Sequence, residues 1–174
     1  MTHAAERGYN SVVAALLTTK GINIELKDNC GRTPLSWAAE KGHETIVRLL
    51  LDNGANIDSK DKDGRTPLSY AAEKGQVDVT RLLVETGNTD VDAKDSNGRT
   101  PLAWAVVRGH EAVVRLLLDN RANLNLKDAG GHTPLWYVVR YGPRSTLHEY
   151  QVQLRLLEEQ NKRRLMMAQQ VQWS

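Results

Sequence analysis

Arginine stands at residues 32, 65 and 99, each time immediately before a Thr-Pro-Leu triplet, and lysine recurs at 27, 60, 94 and 127. A guanidinium presents a planar fork of N–H donors that suits carboxylate and phosphate oxygens, and an ammonium adds a compact point charge. Lys41, Lys74 and Arg108 follow Arg32, Arg65 and Arg99 by nine residues each, so the cations form a basic ladder suited to an acidic segment or surface. The competing reading is ordinary surface chemistry, with each arginine paired to the neighbouring Asp28, Asp61, Asp95 or Asp128. A second column holds Trp37, Tyr70, Trp104 and Tyr137, which can act as aromatic platforms or as packing between helices. Their place within an Ala-Ala stripe favours packing. Trp136 and Tyr141 break the pattern near the end and are the remaining candidates for partner contact. The ladder reading expects Glu substitutions in the arginine column to abolish partner capture with the helical circular dichroism intact.

Other chemistries find little support. The segments HETIVR and HEAVVR begin like a zinc-protease helix but lack the second histidine four positions on, so His43 and His110 are read as helix-start residues bonding backbone. No glycine-rich loop ending in Lys-Ser or Lys-Thr is present to cradle a phosphate. Cys30 is the single cysteine, which excludes an intrachain disulfide and a cysteine-based zinc site and suits a reducing compartment. We therefore expect no enzyme, no cofactor and no metal. A formal charge of +2 demands neither nucleic acid nor membrane, and no apolar run approaches the roughly 18 residues of a membrane span. The expected setting is intracellular and cytoplasmic, with Asn161-Lys162-Arg163-Arg164 as a candidate nuclear-import patch.

The elements that must position these residues are repeats. Thr33, Thr66, Thr100 and Thr133 each open a Thr-Pro-Leu triplet, at spacings of 33, 34 and 33 residues. Such a period marks stacked supersecondary units, each closed by its neighbour. Each threonine can cap a helix whose first residue is proline, where a missing N–H costs nothing. In the best-preserved copy, 28–60, Leu35, Ala38 and Ala39 give the first helix its apolar stripe and Gly42 ends it. A second helix from His43-Glu44 carries Ile46, Val47, Leu49, Leu50 and Leu51 and stops at Asn53-Gly54.

The sequence Gly-x-Thr-Pro-Leu, a short Ala-Ala helix, Gly-His, an apolar second helix and Gly-Ala-x-x-Asn resembles the ankyrin-repeat family over roughly residues 2 to 142. The resemblance implies a solenoid dominated by α-helix, with a β-hairpin loop and two helices per repeat. It also implies a concave face, made by hairpin tips and first-helix surfaces, that binds proteins. The expected divisions are a partial repeat at 1–27, full repeats at 28–60, 61–94 and 95–127, the start of a last repeat at 128–142, and a capping or extended helix at 143–174. The sequence departs from the family's pattern in four places. Ser36, Ser69, Ala103 and Trp136 replace the usual histidine after Thr-Pro-Leu. One extra residue precedes Lys94. Arg121 stands where Gly54 and Gly87 stand. The first unit has no Thr-Pro-Leu, so its first helix is expected to lack a hydroxyl cap.

Beyond Gly142-Pro143, Thr146 and Glu149 form a capping-box pattern for a helix running to about Gln170. It is expected to cap the last repeat and to offer a self-association surface. The function that follows is a non-enzymatic scaffold binding an unknown protein partner, with Arg32, Arg65, Arg99, Lys41, Lys74, Arg108, Trp136 and Tyr141 as the contact set. Two alternatives stay open: the ligand-recognition part of a larger signalling or sensor protein, which the headless first repeat favours, and a nucleic-acid-associated protein, which the small net charge and the expected lack of aromatic interleaving along the ladder disfavour.

Overall fold

A computed structural model describes residues 1–86, 88–141 and 152. Nine α-helices form among the described residues. They are α1 (Thr2–Arg7), α2 (Asn10–Leu17), α3 (Pro34–Lys41), α4 (Glu44–Asp52), α5 (Pro67–Lys74), α6 (Val77–Glu85), α7 (Pro101–Arg108), α8 (Glu111–Asp119) and α9 (Pro134–Tyr141). The odd-numbered helices pack in succession as one layer, the even-numbered ones as a second, and each pair is joined by a short turn.

Local chemistry sets the boundaries. The hydroxyls of Thr33, Thr66 and Thr100 accept from the backbone N–H three residues on, at 3.3, 3.2 and 3.3 Å, with proline at the first helical position. α1 has no such cap, as its missing triplet predicts. Where the family's histidine is replaced, the Ser36 and Ser69 hydroxyls lie 3.2 and 3.1 Å from those of Thr33 and Thr66, so serine takes part in the cap. From α4 on, each second helix starts at a residue whose side chain reaches back to the previous repeat. His43 Nε2 donates to the Glu6 carbonyl at 3.1 Å, Gln76 Nε2 to that of Glu40 at 3.0 Å, and His110 Nε2 to that of Glu73 at 2.9 Å.

The core is a row of thin layers. Leu35, Leu68 and Leu102 are buried in the first helices, and Ala38, Ala71 and Ala105 let adjacent first helices approach closely. Ile46, Val47 and Leu50, then Val79 and Leu83, then Val113, Val114 and Leu117 fill the layer between the helix rows. Each fully buried Leu contributes about 1.5–3 kcal/mol relative to exposure, and its benefit depends on the neighbouring repeat being present. At the amino-terminal edge Tyr9, Val12 and Leu26 are exposed.

One expectation is corrected. The loops between repeats form no strand among the described residues; they are tight turns linked one to the next by a single backbone bond. Lys62 N–H donates to the Cys30 carbonyl at 3.1 Å, Ser96 to Asp63 at 2.8 Å and Ala129 to Asn97 at 2.8 Å. One bond per step cannot make a ladder, because each tip turns away after one residue. Closeness of the tips also explains the glycine at the first three: a Cβ on Gly31 would sit 2.9 Å from the Lys62 nitrogen.

The remaining departures fall as the sequence indicates. Arg121 has φ 66°, the sole positive-φ non-glycine residue described. The extra residue of the third unit lies in the connector after α6, where Thr89 and Asp90 both donate to Asp58, at 2.8 and 3.0 Å. The division of the chain at residue 142 and the long helix expected from Leu147 lie outside the described residues, apart from Val152, which is helical.

Candidate partner-binding face

The face begins at the turns. In each one an aspartate precedes the tip: Asp28 Oδ1 accepts from the N–H of Cys30 at 2.8 Å and of Arg32 at 2.9 Å. Asp61, Asp95 and Asp128 repeat the arrangement with Asp63 and Arg65, Asn97 and Arg99, and Gly130 and His132. The second carboxylate oxygen receives the polar edge of the aromatic residue nine positions on. Trp37 Nε1 donates to Asp28 at 2.8 Å, Tyr70 to Asp61 at 2.5 Å, Trp104 to Asp95 at 3.0 Å and Tyr137 to Asp128 at 2.5 Å. Burial pushes the Asp28 carboxyl up, but the Arg32 and Cys30 N–H groups and the Trp37 indole outweigh it and hold the group below its usual value. Burial and the bond to Asp61 push the Tyr70 hydroxyl well above its usual value, so it stays a donor.

Between the rings lie the arginines. The Arg32 guanidinium sits 3.5 Å from the Trp37 ring centre and 4.0 Å from that of Tyr70. Arg65 lies 4.1 Å from Tyr70 and 4.5 Å from Trp104, and Arg99 4.8 Å from Trp104 and 5.7 Å from Tyr137. Aromatic and cationic groups therefore alternate through the stack, each contact worth about 0.5–2 kcal/mol according to its desolvation.

Carboxylates on the first helices close the network. Arg32 Nη2 donates to Glu40, whose other oxygen lies 3.7 Å from Lys74 Nζ. Arg65 Nη2 donates to Glu73, which also takes Arg108 Nη2 at 2.6 Å. Burial pushes Glu73 up, but the bonds from Arg65 and Arg108 win and leave its carboxyl below its usual value. Each glutamate thus joins its own repeat to the next.

The sequence-derived contact residues separate accordingly. Arg32 is 8% exposed and Arg65 and Arg99 are half-buried, so the arginine column is set into the stack. Lys41 is exposed, as are about half of the Lys74 and Arg108 side chains. Trp136 is 40% exposed, lies 3.9 Å from the His132 ring and meets Tyr137 edge-on. Tyr141 ends α9, and its side chain is outside the described set.

Three sequence readings change. The guanidinium partners are Glu40 and Glu73 rather than the turn aspartates, which bind the arginines' backbone. Lys27, Lys60 and Lys94 are ties between repeats: their ammonium groups donate to the carbonyls of Lys60, Lys94 and Lys127 at 2.8, 3.1 and 2.8 Å. Aromatic interleaving does occur on this surface, but the guanidinium groups occupy the ring faces a base would need. Sequence reasoning missed Glu40 and Glu73 as bridges; their recurrence eight residues after Arg32 and Arg65 was the available signal.

Two helix layers and a repeating turn network define a helical repeat solenoid with one face built from turn tips and first-helix ends. The chain belongs to the ankyrin-repeat family: the family model "Ankyrin repeats (3 copies)" matches residues 1–95 and 87–163. No curated protein matches the chain. Among the described residues, no helix is long and apolar enough to cross a membrane, and no group of three or more His, Cys, Asp or Glu is arranged to hold a metal.

Proposed function

We propose that this ankyrin-repeat chain is a protein-binding scaffold that holds a partner, through an acidic part of its surface, against the face made by the turn tips and first-helix ends. Ankyrin repeats generally serve protein–protein interaction rather than catalysis. The observation that carries the reading is the fixed display of cations along this face. Glu40 and Glu73 lock Arg32 to Lys74 and Arg65 to Arg108, leaving Lys41, Lys74, Arg108 and Trp136 partly in solvent on a frame that does not have to reorganise. Preorganisation lowers the entropy lost on association. Arg32 and Arg65, each paired to a glutamate of its own repeat, serve mainly as the frame of the site, and Tyr141 continues the position of Lys41, Lys74 and Arg108.

Charge reversal at Arg32 or Arg65 would place two carboxylates together in the stack, so loss of binding there would report unfolding. The informative variant is Lys41→Glu/Lys74→Gln/Trp136→Ala, which removes the Lys74 charge without setting a second carboxylate against Glu40. Affinity capture from the native cell, read by mass spectrometry, is expected to lose the partner recovered with the wild type while the melting curve changes little. Equal recovery by both proteins would overturn the assignment of the face.

A further inference from the structure

Charge on the first-helix ends is balanced in α3 and α5 and unbalanced in α7. Glu40 answers Arg32 and Lys74, and Glu73 answers Arg65 and Arg108. The equivalent residue of α7 is Val107, half-buried against the core. Among the described residues no carboxylate lies within ion-pair distance of the Arg99 guanidinium, whose side chain is otherwise directed at the Tyr137 hydroxyl. Its seat is also the widest of the three, at 4.8 and 5.7 Å from its two rings, against 3.5 and 4.0 Å for Arg32. Arg108 stands on the same helix, and exposed Arg140 occupies in α9 the position held by Glu40 and Glu73. Beyond Glu73 the row of helix ends therefore carries cations without an acidic residue among them.

Resting on the reading that this face binds proteins, we propose that Arg99 takes a side-chain carboxylate from an acidic segment of the partner, in the seat that Glu40 and Glu73 fill in the preceding repeats. The chain itself supplies the template for the ligand. Twice the same cradle of guanidinium and aromatic rings holds a glutamate from the first helix; in the next repeat the cradle is kept and the glutamate is replaced by valine. A half-buried guanidinium between rings is poorly hydrated and forms forked bonds to a carboxylate at little reorganisation cost. Arg108 and Arg140 favour further acidic residues beside the one bound.

The test uses the isotope-labelled full chain and the arginine Nε–H signals in nuclear magnetic resonance, with Arg99 assigned by Arg99→Lys. The probe is an end-blocked Gly-Ser peptide bearing three consecutive glutamates, with a three-glutamine peptide as control. The glutamate peptide is expected to shift the Arg99 signal and the glutamine peptide to leave it in place. Val107→Glu rebuilds the internal pair and is expected to weaken the peptide at least about threefold, whereas Val107→Gln keeps the wild-type response. Glutamate at this position is what α3 and α5 already carry, and signal dispersion checks that each variant is folded. No Arg99 shift in the wild type, or equal affinity for Val107→Glu, overturns the proposal. Inorganic phosphate binding more tightly than the peptide at equal ionic strength also overturns it and makes the seat a phosphate site. In the capture experiment, retention of the partner by Val107→Glu together with its loss from the Lys41/Lys74/Trp136 variant removes the Arg99 seat and leaves the face standing. Retention by both removes the face.

Discussion

Thr80 is the one residue in its column that carries a hydroxyl. Val13, Val47 and Val114 hold the equivalent positions in α2, α4 and α8, and all four side chains are buried. In a helix, a threonine hydroxyl ordinarily finds the carbonyl three or four residues back. Here the Gln76 carbonyl already accepts the Thr80 N–H at 2.8 Å, and the Thr80 Oγ1 atom has no hydrogen-bond partner. A buried hydroxyl without a partner costs about 1–3 kcal/mol, and exchanging it for a methyl adds apolar burial at almost unchanged volume. Thr80→Val is therefore expected to stabilise the protein by about 2 kcal/mol, or roughly 4–8 °C in Tm for a chain of this size. Thermal unfolding followed by far-UV circular dichroism measures it directly. The reciprocal changes Val47→Thr and Val114→Thr should lower Tm by a similar amount, since they create the same defect in neighbouring layers. An unchanged or lower Tm for Thr80→Val would refute the reasoning, because it would mean that the hydroxyl is satisfied in solution.

Three further outcomes follow from the geometry. Arg121→Gly removes a Cβ from left-handed backbone at φ 66° and should raise Tm by roughly 2–4 °C, for about 1 kcal/mol of relieved strain; a flat or lowered transition would contradict it. Glu73→Gln breaks charge-assisted bonds to both Arg65 and Arg108 and should cost about 2 kcal/mol, readable as a lower urea midpoint with unchanged slope. Asp28, Glu73 and Asp128 have folded-state pKa values below their unfolded ones, so their stabilisation is full above the unfolded values and disappears as pH falls through the folded ones. Tm should hold steady near neutrality and fall below about pH 4.3, where unfolded carboxylates begin to take up protons, with a shallower acid limb for Glu73→Gln. Asp92, raised by burial against the Asn123 N–H bond, opposes this trend in part.

Much of the fold is legible in the sequence because it depends on neighbours close in the chain. Thr33 caps, Pro34 starts and Gly42 ends a helix within nine positions, and Arg121 in place of glycine announces its own strain. The face is less legible because its chemistry runs across repeats. Arg32 touches Trp37 of its own repeat and Tyr70 of the next, a separation of 38 residues that no local pattern encodes. Asp28 stands four residues before Arg32 and invites an ion pair, yet its oxygens are consumed by two backbone N–H groups and the Trp37 indole. With the aspartate occupied in the turn, the Arg32 guanidinium donates to Glu40 instead.

The bonds that bind one repeat to the next also fix which parts of the face can vary. His43, Gln76 and His110 reach back to a carbonyl, Lys27, Lys60 and Lys94 reach forward to one, and Glu40 and Glu73 bridge side chains. Changing any of these weakens an interface that two layers share, so on the proposed reading partner specificity belongs to positions outside this network. Lys41 and Trp136 meet that condition, and the exchange of glutamate for Val107 frees Arg99 to meet it as well. Specificity in such a stack arises where a structural pairing is left incomplete: the solenoid tolerates the loss because the aromatic rings still hold the arginine, and the released guanidinium is presented already oriented.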